Sequence, residues 1–201
     1  MSIAFLSDGP ADASTTLILA HGAGGAMDAE FMNVVCAGIA AAGVHVLRFE
    51  FPYMAQRRET GKKRPPDREP ILLDTWREVV RSVESDRLFI GGKSMGGRMA
   101  SMVADELEVA GLICLGYPFH PPGKPEKLRT VHLEGLRTRT LIVQGANDAF
   151  GTREDIAGYS LSPQIAFHWI ERGNHDLRAA GQPKRQGWDE AVAAALAFLR
   201  R

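Results

Sequence analysis

Cysteine is scarce in this 201-residue chain, and its scarcity excludes two classes of protein. Cys36 and Cys114 are the only cysteines. The first lies in a helical pattern and the second in an apolar strand pattern, so neither a disulfide framework nor a thiolate metal site is indicated. The pair suits a reducing compartment. The sequence therefore predicts a cytoplasmic protein that holds no metal.

Long apolar runs and a charge bias are also missing. No apolar stretch approaches the length of a membrane span, and the first residues, MSIAFLSDGPAD, lack the basic start and apolar run of a signal peptide. The 24 basic residues balance the 24 acidic ones, so the molecule has no strong field to attract nucleic acid or anionic lipid. We therefore expect neither a nucleic-acid nor a membrane partner. The length favours a single domain over residues 1–201.

Short apolar runs alternate with helical periodicity along the whole chain. Most runs are continuously apolar, as expected of parallel strands that are covered on both faces. The pattern predicts a three-layer α/β/α sandwich with a mainly parallel sheet. The predicted strands lie at 15–21, 44–51, 87–92, 111–117, 139–146 and 164–170, with a further short candidate at 3–6. The predicted helices lie at 28–42, 71–84, 95–108 and 187–200.

The stretch IGGKSMGGR, residues 90–98, contains two overlapping motifs. Gly-Lys-Ser ends a phosphate-binding loop only if a glycine stands five residues before Gly92, and that position holds Arg87. Gly-x-Ser-x-Gly, by contrast, follows an apolar strand directly and opens a helical pattern, which is the setting of a nucleophilic serine. Ser94 is therefore the predicted nucleophile. Glycine at 92 and at 96 is expected to avoid collisions with neighbouring backbone.

A serine hydroxyl needs a base and an orienting carboxylate before it reacts. After a serine in this setting, the carboxylate and then the histidine follow later strands of the sheet. Asp148 comes directly after the run TLIVQGAN, and His175 lies between the run IAFHWI and the last helical pattern. We therefore predict that Ser94, Asp148 and His175 form a catalytic triad. A turn aspartate and a solvated loop histidine are the alternative interpretations, and Asp155 and Asp176 are the alternative carboxylates.

Backbone N–H groups are expected to stabilise the oxyanion that forms during acyl transfer. The N–H of Met95, at the start of the helix after Ser94, is the first predicted donor. The second is expected in the glycine-rich turn HGAGG, residues 21–25, which follows an early strand. Its N–H comes from Ala23 or Gly24, while His21 is predicted to hold the turn in place.

Several longer motifs carry a resemblance to a known family. They are HGAGGAMD, RFEFPYM, KRPPDR, GGKSMGGRMAS, CLGYPFHPPGKPEKLRT, LIVQGANDAFGTRE and GNHDL, and they span most of residues 15–178. With them the chain resembles serine hydrolases of the α/β-hydrolase fold. Within that fold it resembles the hydrolase-like family of the testis-expressed and non-specific-lethal-complex proteins, and it is more distantly similar to dienelactone hydrolases. The resemblance implies a minimal α/β-hydrolase fold without a large lid, with the predicted triad at the family's catalytic positions.

Two further segments bear on the substrate. Residues 55–70 are predicted to be a charged loop on the face that carries the nucleophile. Solvation is the favoured role of its Arg57 and Arg58, and attraction of an anionic acyl or phosphorylated substrate is the alternative. Residues 118–138 are proline-rich and too short for a large lid, so we expect an open cleft. His120 in this segment is a candidate substrate contact, although a surface position is the favoured interpretation.

The sequence as a whole predicts an enzyme that cleaves an ester, thioester or related acyl bond of a small molecule through an acyl-serine intermediate. It implies no metal and no organic cofactor. Because some relatives of the resembled family serve as complex subunits, a non-catalytic binding or scaffold module is the alternative. The oligomeric state is not predicted.

Overall fold

The computed structural model describes residues 3–201 and contains a seven-stranded sheet. The strands are β1 (Phe5–Asp8), β2 (Thr15–Ala20), β3 (His45–Phe49), β4 (Arg87–Lys93), β5 (Gly111–Leu115), β6 (Thr140–Gly145) and β7 (Ile165–Ile170). Their order across the sheet is β1-β3-β2-β4-β5-β6-β7. Only β1 runs antiparallel to its neighbour within the described residues. The predicted mainly parallel sheet is confirmed.

Helices cover both faces of this sheet. They are α1 (Glu30–Ala40), α2 (Pro52–Thr60), α3 (Glu69–Arg81), α4 (Met95–Ser101), α5 (Val131–Glu134), α6 (Arg153–Ala157) and α7 (Gln186–Leu199). None of the helices described in residues 3–201 combines the length and apolar character that crossing a membrane requires. The arrangement is the predicted α/β/α sandwich.

The continuously apolar strands follow from burial on both sides. Successive side chains of a strand point to opposite faces of the sheet. In β2, Leu17 and Leu19 join the core formed with α1 and α7. Ile18 and Ala20 join the other core, which includes Trp76 of α3 and residues of α4. Both faces of the strand are therefore apolar, as the sequence pattern predicted.

The structure corrects two of the predicted boundaries near the site. Residues 55–70 were predicted as a loop, but α2 continues to Thr60 because Pro52 fixes φ at its start and Gly61, at φ 69°, ends it. The helix after Ser94 was predicted to reach residue 108, but α4 ends at Ser101. Hydrogen bonds to the residue three positions back tighten the chain after it, from Met102 to Met99 and from Val103 to Ala100.

Candidate active site

Ser94 forms the turn between β4 and α4 by itself. Its backbone angles are φ 50° and ψ −115°, a left-handed conformation that non-glycine residues seldom adopt. A Cβ atom at Gly92 would lie 2.4 Å from the Ala20 carbonyl oxygen, and one at Gly96 would lie 2.6 Å from the same atom. The expected reason for both glycines is confirmed: only residues without a side chain let the turn approach β2 so closely.

Among the three residues of the predicted triad, His175 lies within hydrogen-bonding distance of both Ser94 and Asp148. His175 Nε2 is 2.8 Å from Ser94 Oγ, and His175 Nδ1 is 2.8 Å from Asp148 Oδ2. With the imidazole proton on Nδ1, the ring donates to the carboxylate and Nε2 accepts from the serine hydroxyl. This geometry makes Nε2 able to receive the hydroxyl proton when the oxygen attacks.

Asp148 is fully buried and its carboxylate is held from several sides. Oδ2 accepts a hydrogen bond of 2.9 Å from Gln144 Nε2 in addition to the bond from His175. Oδ1 accepts one of 2.8 Å from the Phe150 N–H. Gln144 is itself fixed because its Oε1 accepts from the Tyr117 N–H at 2.7 Å. The carboxylate therefore faces the imidazole in a fixed orientation.

His175 is supported at its ring and at its backbone. The Phe150 ring stacks on the imidazole with 4.1 Å between centroids. The Lys93 ammonium donates a 2.8 Å hydrogen bond to the His175 carbonyl oxygen. Burial lowers the pKa of Lys93 to about 8, against the opposing attraction of Asp176 and Asp148. Both supports lie outside the three residues that the sequence motifs identified.

The glycine-rich turn after β2 is tied to the core by His21 and Tyr53. The buried His21 ring donates from Nδ1 to the Gly22 carbonyl at 2.7 Å and accepts at Nε2 from the Phe51 N–H at 3.2 Å. Because both ring nitrogens are used by a neutral imidazole, and because burial lowers its pKa, His21 holds the loop as expected. The Tyr53 hydroxyl donates to the Ala23 carbonyl at 2.9 Å.

These contacts also orient the N–H groups of the turn. All peptide bonds in the described residues are trans, so each N–H points opposite to the preceding carbonyl. The Gly22 carbonyl faces His21, which directs the Ala23 N–H away from that ring. The Ala23 carbonyl faces Tyr53, which directs the Gly24 N–H away from the hydroxyl. Within residues 3–201, no acceptor is bonded to the N–H of Ala23, Gly24 or Met95.

A cleft of about 430 Å³ opens beside Ser94 and His175. Its walls are largely apolar, and Asp176 lies on its rim with an exposed carboxylate. The cleft is lined by residues 22–26 of the glycine-rich turn, by Ala29, Phe31 and Met32 at the start of α1, and by Lys93, Ser94, Phe150, His175 and Asp176. The Ser94 hydroxyl is therefore accessible from an apolar cavity of small-molecule size.

The structure does not bring the remaining candidates to this cleft. Arg57 and Arg58 line a neighbouring cavity of about 270 Å³, and the Arg58 guanidinium is paired with Glu50 and Asp28. His120 was expected at the surface but is buried, with Nδ1 donating to the Pro121 carbonyl at 2.9 Å.

The two alternative carboxylates are also separate from the relay. Asp155 forms the capping box of α6 with Thr152. Asp176 lies on the cleft rim and is 3.9 Å from Lys93 Nζ. Neither of them replaces Asp148 beside His175, whose Nδ1 faces Asp148 alone among the described carboxylates.

Sequence reasoning missed Lys93 and Gln144, although each leaves a signal. Both are polar residues near the end of an otherwise apolar strand, in RLFIGGK and TLIVQG. A buried polar side chain at such a position requires a hydrogen-bonding partner. The signal indicates that a partner exists, but which partner it is depends on how the strands and loops meet.

A lidless α/β sandwich with a serine at the turn after its central strand, facing a histidine, is an α/β hydrolase by fold. The chain belongs to the Alpha/beta hydrolase domain family, whose model matches residues 13–200. The expected α/β-hydrolase fold without a large lid is therefore confirmed.

Solved structures share this architecture at low sequence identity. An α/β serine hydrolase without lid from Xanthomonas campestris is 19% identical, with 99% of this chain and 88% of that chain covered and a TM-score of 0.74. Est1E from Butyrivibrio proteoclasticus with bound ferulic acid is 16% identical, with coverage of 98% and 94% and a TM-score of 0.72. A monoacylglycerol lipase from Paleococcus ferrophilus is 12% identical, with coverage of 99% and 98% and a TM-score of 0.72.

Proposed function

We propose that this protein hydrolyses an ester, thioester or related acyl bond of a small molecule through an acyl-serine intermediate. Ser94 Oγ attacks the acyl carbon while His175 Nε2 takes the hydroxyl proton. The proton then passes to the leaving group, and the same nitrogen activates the water that releases the acid. Asp148 keeps the proton on Nδ1 and stabilises the imidazolium that forms in each half of the reaction.

The observation that carries the proposal is the relay of two 2.8 Å contacts from Asp148 through His175 to Ser94. The oxyanion is assigned to the N–H of Met95 and to that of Ala23 or Gly24. These groups are bonded to no acceptor in residues 3–201. Losing one such donor typically lowers the rate about 100- to 1,000-fold.

The cleft favours a small, uncharged acyl group. Its walls carry the methyl and aromatic surfaces of Ala29, Phe31 and Met32, and its rim carries the carboxylate of Asp176. We further propose that Arg57, which borders the neighbouring cavity, attracts a charged end of an extended substrate rather than the acyl group itself. His120, being buried, has no part in this proposal.

We also propose a single domain, a cytoplasmic location and a place within the wider family. The single sheet with a core on each face supports one domain over residues 1–201. Buried, unpaired Cys36 and Cys114 support a cytoplasmic location. The sequence motifs support a place beside the testis-expressed and non-specific-lethal-complex hydrolase-like proteins within the wider family.

The test combines a fluorophosphonate probe with hydrolysis of p-nitrophenyl butyrate. We expect wild-type protein to be labelled and to hydrolyse the ester, and Ser94→Ala to do neither. Asp148→Asn should keep the fold but lower kcat by about 10⁴, because an amide no longer favours the proton on Nδ1. Folded wild-type protein that reacts with neither reagent would favour the alternative, a binding or scaffold module.

A further inference from the structure

Lys93 is a buried cation that the proposed reaction does not use. It occupies the last position of β4, directly before Ser94, yet its side chain extends to the loop that carries His175. Nζ donates to the His175 carbonyl at 2.8 Å and lies 5.8 Å from the centre of the Phe31 ring. An ammonium that is removed from water is unfavourable unless its contacts compensate for the lost hydration. The contacts of Lys93 therefore indicate a specific role.

The surroundings of the ammonium are tightly packed against the imidazole. Gly116, at φ 67°, lies between them: a Cβ atom there would be 3.3 Å from Lys93 Nζ and 3.6 Å from His175 Nδ1. The same atom would be 2.7 Å from the His175 carbonyl oxygen, so the space for it does not exist. The His175 carbonyl thus accepts a charge-assisted hydrogen bond and packs against Gly116, where no side chain would fit.

We propose that Lys93 is a positioning residue that acts through the backbone of His175. By fixing the His175 carbonyl, the ammonium keeps the imidazole within reach of both Asp148 and Ser94. The contact also ties the nucleophile turn after β4 to the histidine loop after β7, which are separated by 81 positions in the chain. The inference rests on the proposed hydrolase function, since it assigns Lys93 a part in that reaction.

The charge on Lys93 makes this role dependent on pH. Asp176 at 3.9 Å and Asp148 favour the ammonium, while burial favours the neutral amine and lowers the pKa to about 8. Phe31 is the residue of α1 that faces the ammonium. Above pH 8 the charge-assisted bond becomes a weaker bond from an amine. We therefore expect kcat of the wild type to fall above about pH 8.

The experiment measures kcat and KM from pH 6 to 10 for Lys93→Met and Lys93→Arg. Methionine keeps the length of the apolar stem but cannot donate, so kcat should fall about 100-fold with little change in KM, as for a displaced catalytic group. Arginine keeps a charged donor that does not titrate in this range. Lys93→Arg should therefore recover most of kcat and lose the alkaline decline.

Lys184→Met is the matched control, because Lys184 pairs with Glu30 at the surface and its ammonium lies near the Trp188 ring. It should behave as the wild type in kcat, KM and pH profile. Circular dichroism and urea unfolding at pH 7 exclude misfolding of each variant. An unchanged kcat and an unchanged alkaline decline in folded Lys93→Met would overturn the proposal.

A readout without turnover separates this proposal from the proposed function. In protein labelled with ¹⁵N-histidine, the His175 Nδ1–H that bonds Asp148 should give a low-field proton signal. The signal should weaken in Lys93→Met and persist in Lys93→Arg and Lys184→Met. If the wild type hydrolyses no ester, the proposed function fails while this signal still tests Lys93. An ester-cleaving wild type with an unaffected signal and rate in Lys93→Met refutes the role of Lys93 alone.

Discussion

Ser94 combines the hydroxyl that is proposed to react with a backbone conformation that disfavours any side chain. Its backbone angles, φ 50° and ψ −115°, are unfavourable for a residue that carries a Cβ atom. Contacts with the surrounding chain must compensate for this strain. The compensation is visible on both sides of the residue. Its N–H donates to the Leu115 carbonyl at 3.0 Å, and its carbonyl accepts from the Arg98 N–H at 3.0 Å. The strained backbone of Ser94 is thus part of the turn that places its Oγ at the cleft.

Relief of this strain should stabilise the protein while abolishing its activity. Ser94→Gly removes the Cβ from the left-handed conformation, whereas Ser94→Ala removes only the hydroxyl. We expect Ser94→Gly to have a free energy of unfolding about 1 kcal/mol above that of Ser94→Ala. Urea unfolding at pH 7 measures both. A Ser94→Gly variant less stable than Ser94→Ala would show that the turn is not strained.

At this scale, the sequence indicated the three residues that the structure places side by side, but not the residues that support them. The positions of Ser94, Asp148 and His175 followed from a short motif and from strand ends, which are local signals. The partner of Lys93 lies 82 positions away, and Tyr117, which fixes Gln144, lies 27 positions from it, across strand pairings that no local pattern specifies. The contacts of supporting residues therefore require the folded chain.

At the scale of elements, α2 is the longest of the helices that the sequence did not predict. Its residues are mostly polar, so the apolar periodicity of a packed helix is weak. A residue that is distant in the sequence stabilises the start of α2 instead. The Tyr53 N–H in its first turn donates to Asp67 Oδ2 at 2.8 Å, 14 positions further along the chain. The N-cap residue of α2, Phe51, supplies no side-chain hydrogen bond, so the sequence shows no capping signal at this helix start.

The Arg58–Glu50 pair is expected to hold α2 against the sheet. Glu50 has a side chain only 5% exposed, and Arg58 donates to both of its oxygens, at 2.7 and 3.0 Å. Arg58→Ala leaves that carboxylate with the Met27 N–H at 3.3 Å as its remaining donor. We expect the free energy of unfolding to fall by about 2 kcal/mol, since an uncompensated buried charge is unfavourable.

Arg57→Ala is the matched control for this helix. Arg57 precedes Arg58 in the same helix, and no ion pair of its side chain occurs within residues 3–201. Chemical denaturation should place Arg57→Ala within about 0.5 kcal/mol of the wild type. The double variant Arg58→Ala with Glu50→Gln should regain part of the loss, because it also removes the buried charge. Equal stabilities of the two single variants would contradict a clamp at Arg58.

At the scale of the whole molecule, one edge of the sheet gathers the site from four loops. The glycine-rich turn follows β2, and Ser94 follows β4. Asp148 follows β6, and His175 follows β7. Parallel strands place their carboxyl ends at the same edge, so residues distant in sequence meet there. The alternation of strands and helices predicted a mainly parallel sheet. The strand order, the exact register and the short α5 and α6 depend on packing that the pattern does not contain.

Acid should destabilise the whole fold through buried histidines. His132 of α5 lies against Ser101 and Tyr117, with Nε2 at 2.9 and 3.3 Å from their hydroxyl oxygens. Burial, aided by the positive charge of Arg98, lowers its pKa to about 4. Burial also lowers the pKa of His21. Between pH 6.5 and 4 the unfolded chain therefore binds protons that the folded chain does not, and stability is lost as pH falls through that window.

We expect the free energy of unfolding to be about 1–2 kcal/mol lower at pH 5 than at pH 7, after allowance for the partial exposure of His132. Urea titrations at the two pH values measure this difference, in a range above the titration of most carboxylates. His132→Gln should reduce the difference, because glutamine binds no proton in this range. The residual slope in His132→Gln should include the contribution of His21, whose buried ring holds the loop beside Ser94. A wild type equally stable at both pH values would contradict the burial of neutral imidazoles on which this argument depends.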